Sequence, residues 1–123
     1  MRRTFKEGGA FEETAAYSRA VRIGDYVAVS GTAAHEGGDA YDQTAEALRR
    51  ALAAARELGA RPEDVLRTRL LLAAGSDWEA AVRAHGETFA GIEPANTTYF
   101  VLGFVPDGVL VEVELDAIVL EPR

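Results

Sequence analysis

The sequence predicts an α+β domain in which two helices cover one face of a mixed β-sheet. Three observations lead there. Strand-like and helical runs follow one another in the order β-β-α-β-α-β-β. The last strand alternates between a wholly apolar face and a charged one. The 123 residues, 48% hydrophobic and 27% charged, have the balance of a chain that buries one real core. No repeat, linker or low-complexity tail divides residues 1–123, which read as a single domain.

Residues 17–23 and 26–32 read as strands joined by Gly24-Asp25, a two-residue hairpin turn. His35-Glu36-Gly37-Gly38-Asp39 is a loop. Across residues 40–58, Ala45, Leu48, Leu52 and Ala55 recur at three- and four-residue spacing, the mark of an amphipathic helix. Asp39 is placed to cap its start and Gly59 to terminate it. Residues 65–72 form the third strand. Ser76-Asp77-Trp78-Glu79 has the form of a capping box opening a second helix, whose buried stripe is expected to hold Trp78, Ala81, Val82, His85 and Phe89. Residues 97–104 and 109–120 are the last two strands, turned about Pro106-Asp107-Gly108.

Successive strand side chains point to opposite faces, so parity sorts the last strand. Val109, Val111, Val113, Leu115, Ala117 and Val119 share an apolar face suited to the helices. Leu110, Glu112, Glu114, Asp116 and Ile118 share the other. In the third strand Leu66, Thr68, Leu70 and Leu72 lie on one face, Arg67 and Arg69 on the other. Two arginines and three acids are thus expected together on the face the helices leave bare. Either solvated cross-strand ion pairs, worth only ~0.2–1 kcal/mol each, or a functional cleft accounts for such a face.

Charge narrows the partners. Twenty acids against thirteen bases give −7, lysine occurs once, at Lys6, and the arginines are scattered among acids. A nucleic-acid partner is not expected, because phosphate binding needs clustered cations. No apolar run reaches the ~18 residues of a membrane span. The start Met-Arg-Arg-Thr-Phe-Lys has charges with no apolar stretch behind them, so the cytoplasm is the expected compartment. The absence of cysteine excludes disulfides, thiolate metal sites and a cysteine nucleophile.

Five segments together resemble the RidA/YjgF family. Ala16-Tyr17-Ser18-Arg19-Ala20-Val21 is similar to its Pro-Tyr-Ser-Gln-Ala-Val signature, and Val27-Ala28-Val29-Ser30-Gly31 to its Val-Phe-Val-Ser-Gly strand. Gln43-Thr44 with Leu48 matches the start of its first helix. Gly59-Ala60, Asp64-Val65 and Arg67-Thr68 match its helix-to-strand passage, and Leu110-Val111-Glu112-Val113-Glu114 its Leu-Val-Glu-Ile-Glu strand. The resemblance implies a chorismate-mutase-like fold assembled as a homotrimer, with small-molecule clefts between subunits. In active members it implies an arginine that binds the carboxylate of a 2-imino or enamino acid; water adds to the imine carbon, and ammonia leaves. The motif carrying that arginine, Pro-Ala-Arg-Ser-Thr, is Pro94-Ala95-Asn96-Thr97-Thr98 here. Asn96 replaces a charged planar fork with a neutral amide, so standard imine-deaminase activity is expected to be weak or absent.

By the same resemblance Glu112 stands at the position of the active-site carboxylate, and Tyr17 and Ser30 at hydrogen-bonding positions of the cleft. Glu112 is the expected catalytic residue, and Tyr17, Ser30, Asn96, Arg69 and Thr98 are expected to bind substrate. The strand after the motif is one residue longer than the family's, and a bulge near Gly103 is expected to absorb the difference. His85 is expected to be a satisfied core or interface histidine, and His35 shows no partner in sequence. Neither cofactor nor metal is expected: alternate acids on one strand splay by ~7 Å, and Glu36-Gly37-Gly38 lacks the setting of a phosphate loop. Three functions follow. The first is an acid–base enzyme on a small metabolite, using Glu112. The second is a metabolite-binding or regulatory trimer without turnover. The third is residual imine deamination with Arg69 or Arg67 supplying the missing cation.

Overall fold

A computed structural model describes residues 1–35 and 37–120; Glu36, assigned above to the loop, lies outside the described residues. The chain runs β1 (Arg2–Phe5), α1 (Ala10–Ala15), β2 (Ala20–Ile23), β3 (Tyr26–Thr32), α2 (Ala40–Glu57), a 3₁₀ turn (Pro62–Asp64), β4 (Val65–Ala73), α3 (Trp78–Thr88), β5 (Ala95–Val101) and β6 (Val111–Ile118). The strands form one mixed sheet in the order β1-β2-β3-β6-β4-β5. Only β4 and β5 pair in parallel. Among the described residues, no helix is long and apolar enough to cross a membrane.

Parity governs the core as expected. Val111, Val113, Leu115 and Ala117 are fully buried at the centre of the sheet, against a helix face of Ala47, Leu48, Ala51, Ala54 and Ala55. Small alanines let α2 lie close to β6 and β3, and each fully buried valine or leucine contributes ~1.5–3 kcal/mol. Asp39 caps α2 by accepting from the Asp42 N–H at 2.8 Å. Gly59, just past its end, takes φ +95°, where a side chain would be strained. Gly24 and Asp25 close the β2–β3 hairpin, with Ile23 paired to Tyr26.

Several expectations are corrected. A first strand and a short first helix precede the predicted elements, and β2 begins at Ala20, leaving Tyr17 and Ser18 in the connection. The α3 cap is Asp77, which accepts from the Ala80 N–H at 3.1 Å; the box residue Ser76 lies one position outside. The face of α3 that packs on α2 runs through the small residues Ala80, Ala81 and Ala84, so Trp78 and Val82 are exposed. Leu66 is also exposed: the β4–β6 register slips between Val65 and Arg67, removing Leu66 from the alternation that buries Thr68, Leu70 and Leu72. Strand β5 ends at Val101, so Gly103 sits in a loop and the expected bulge there does not form. The bulge lies in β3 instead, between Val29 and Thr32.

Candidate functional site

The β3 bulge builds the first half of the site. Val29 pairs with Leu115 and Thr32 with Val113, so Ser30 and Gly31 together face Glu114. A bulge frees backbone groups from the ladder, and buried groups must find partners. Arg19, only 9% exposed, provides them. Its Nη2 donates to the carbonyls of Ser30 (3.2 Å) and Gly31 (2.7 Å) and to Thr32 Oγ1 (2.6 Å). Its Nη1 donates to the Tyr17 hydroxyl at 3.2 Å, and its guanidinium carbon lies 5.8 Å from the Tyr17 ring centroid. Phe11 meets Tyr17 edge-on, with centroids 5.9 Å apart. The Ser30 hydroxyl donates to the Ser18 carbonyl at 2.6 Å, tying the bulge to the α1–β2 connection.

Glycine at position 31 sets where the Glu112 carboxyl can lie. A Cβ there would stand 2.6 Å from Glu112 Oε1, so the bare backbone leaves room for that carboxyl. Glu112 projects from the bare face of β6 and is half-buried. Burial pushes its pKa up, the Arg19 charge pulls the other way, and Glu114 adds to the rise; the net shift is upward. Tyr17, Arg19, Ser30, Gly31 and Glu112 line one open groove of about 720 Å³, closed on another side by Phe104 and Val105. Gln43 anchors the loop carrying that wall, donating to the carbonyls of Gly38 (3.1 Å) and Gly108 (3.0 Å) and accepting from the Leu110 N–H (2.8 Å).

Asn96 and Thr98 lie elsewhere in the chain. In the parallel β4–β5 register Asn96 pairs with Thr68, which belongs to the helix-facing side. Asn96 Nδ2 donates to Thr68 Oγ1 (3.0 Å), Thr68 Oγ1 is 2.7 Å from His85 Nε2 on α3, and the Thr98 hydroxyl donates to Asn96 Oδ1 (2.8 Å). Burial lowers the pKa of His85, whose ring also packs on Phe89 at 4.8 Å. Asn96 and Thr98 border a separate groove of about 400 Å³ with Leu72, Trp78, Val82 and Phe100. Within one chain, therefore, the structure brings Tyr17 and Ser30 to Glu112 but not Asn96 or Thr98.

The two strand arginines are engaged on the bare face. Arg69 Nη1 is 3.6 Å from both Glu114 and Asp116, and Arg67 donates to Thr97 Oγ1 at 3.1 Å. Neither lines the Glu112 groove. The cations that do are Arg19 and Arg50, which sequence reasoning did not single out. A signal for Arg19 was present, since it stands where the family signature has glutamine.

The Endoribonuclease L-PSP family model matches residues 8–119. A Streptomyces coelicolor protein described as uncharacterized is 41% identical over 121 residues, spanning 94% of this chain and 90% of its own length. A Mycobacterium tuberculosis crystal structure, described as a member of the YjgF/YER057c/UK114 family, is 39% identical, with a TM-score of 0.92 over 97% of this chain and 100% of that one. A Neisseria meningitidis protein of the YjgF family, 23% identical, shares the fold with a TM-score of 0.85 over 99% of this chain and 98% of its own.

Proposed function

Because the chain belongs to the Endoribonuclease L-PSP (YjgF/RidA) family, we propose that it is an acid–base enzyme acting on a small metabolite at Glu112, and not a standard 2-imino acid deaminase. One observation carries this function: a half-buried carboxyl with a raised pKa, set over the bulge glycine and beside an anchored phenol. A raised pKa holds the proton closer to neutral pH, where a general acid or base works best. The Tyr17 oxygen accepts from Arg19, so its own proton is free to orient a substrate oxygen or nitrogen. Glu112 then gives its proton to the leaving group or takes one from an attacking water.

The functional assembly in this proposal is a homotrimer, as in the family. Tyr99, Phe100, Leu102 and Val105 are exposed apolar residues on β5 and the loop after it, a surface suited to a second subunit. Asn96 and Thr98 contribute to binding only across such an interface. Arg69, held by two carboxylates, has little charge to spare for a substrate, which weighs against deamination by that route. The family model's name points to RNA cleavage, but −7 net charge and a single lysine do not suit a phosphodiester chain.

A binding protein without turnover is the second reading, favoured by the Ser30 hydroxyl and Arg19 Nη2 being committed to the fold. A small-metabolite library incubated with wild type and Glu112→Gln separates the two. The enzyme reading expects a metabolite consumed by wild type and ~10²–10⁴-fold more slowly by the variant. Retention of the same metabolite unchanged by both proteins supports the binding reading.

A further inference from the structure

We propose that Arg19 and Arg50 form a carboxylate-binding subsite at one end of the Glu112 groove, held in the free chain by the protein's own Glu7. The subsite presupposes that this groove is a small-molecule site. The arginines come from distant parts of the chain, Arg19 from the α1–β2 connection and Arg50 from α2, yet both address one oxygen. Arg50 Nη2 donates to Glu7 Oε1 at 2.9 Å, and Arg19 Nε stands 3.9 Å from the same atom. Both guanidinium side chains are mostly buried, at 13% and 11% exposure, whereas that of Glu7 is 43% exposed. The cations are built into the fold; the anion is the part that solvent reaches.

Glu7 fills the position incompletely. The Nε and Nη2 groups of an arginine form one edge that matches the two oxygens of a carboxylate. At Arg50 that edge is half used. Nη2 has Glu7, Nη1 donates to the Ala33 carbonyl, and Nε is buried without a hydrogen-bond partner among the described residues. A buried donor left unpaired is costly, and a mobile carboxylate able to take both positions on the edge removes that cost. The Arg19 contact, at 3.9 Å, is likewise an ion pair without a hydrogen bond.

Arg50 lines both the Glu112 groove and a smaller one of about 160 Å³ whose wall includes Glu7, so an acid that reaches the arginine from the larger groove competes with Glu7 for it. Phe11, Tyr17, Phe104 and Val105 line the path between. The ligand class is thus a small carboxylate with an apolar or aromatic body. Its acid group is seated at Arg19 and Arg50, and its reactive end faces Glu112. Positive charge is supplied from a different wall than position 96.

Phenylacetate and its neutral isostere phenylacetamide test this, with calorimetry for affinity and the Gly31 amide resonance to locate binding. Wild type should prefer the acid. Glu7→Gln, which removes the internal competitor, should tighten the acid about tenfold and leave the amide unchanged. Arg50→Met should abolish the preference and Arg50→Lys restore part of it, with thermal melts verifying the fold. Should acid and amide bind equally while both move the Gly31 resonance, the carboxylate subsite is wrong and the small-molecule groove stands. If neither probe moves that resonance in wild type or in any folded variant, the subsite is overturned and the groove is counted against.

Discussion

Glu112 and Asn96 stand on opposite sides of the same sheet, and their surroundings differ in kind. Asn96 belongs to a chain of neutral groups in which Thr98, Thr68 and His85 meet one another's hydrogen-bonding needs. Such a set stabilises packing between β5, β4 and α3 and leaves little capacity for a ligand. Glu112 has no hydrogen-bond partner among the described residues, and the nearby charges of Arg19 and Glu114 act on it in opposite directions. Chemistry is supported where the fold positions a polar group without satisfying it. A motif position can therefore carry structure in one chain, while an unremarked neighbour such as Arg19 holds the site together.

The sharpest way to break this comparison after removing Glu112 itself is to move it. Gly31→Ala places a methyl where the Glu112 carboxyl now lies, 2.6 Å from Oε1, and the flexible side chain must give way. The backbone at Gly31 needs no special conformation, so the fold should persist. Displacing a reacting group by about 1 Å costs up to ~10²-fold in rate. Turnover of the native substrate should fall by ~10–100-fold with an unchanged circular dichroism spectrum. Full activity in the alanine variant places the chemistry elsewhere.

A smaller effect is expected on the other side of the sheet. Asn96→Ala breaks two hydrogen bonds, one of them to the buried Thr68, and should lower stability by ~1–2 kcal/mol in a denaturant melt. Turnover should change less than about tenfold, since a neutral contact made across an interface contributes only ~0.5–1.5 kcal/mol. A loss matching that of Glu112→Gln erases the contrast and moves the reacting group to the β5 side.

How much of this was legible in the sequence depended on whether a local signal set the outcome. Parity alone placed Val111, Val113, Leu115 and Ala117 in the core and Glu112 on the bare face. The Gly24-Asp25 turn and the Asp39 cap are similarly local. Strand β1 has four residues and no apolar alternation. Helix α1 has six, held by the Glu12 carboxylate accepting from the N–H groups of Glu7, Gly8 and Gly9. Burial opposes ionisation of Glu12, yet those bonds and the Arg19 charge keep its pKa below the usual value. The direction of Asn96 was not legible because a parallel pairing, set by how α3 crosses the sheet, decides which residue it faces. The meeting of Glu7, Arg19 and Arg50 is tertiary throughout, and no spacing announces it.

The most direct test is the titration of the Glu112 side-chain carboxyl, followed by carbon NMR with Glu112→Gln as the assignment control. The midpoint should lie above that of an ordinary glutamate, because burial and Glu114 outweigh Arg19. The native state then holds this proton more tightly than the unfolded chain, so the group's contribution to stability falls as pH rises from the ordinary value to the raised one. Glu112→Gln should accordingly be more stable than wild type at neutral pH, by less than about 1 kcal/mol for a half-exposed group, with the gain fading below the ordinary glutamate value. A midpoint at or below that ordinary value, with no such pH-dependent gain, would contradict the central claim that the groove holds a carboxyl poised for proton transfer.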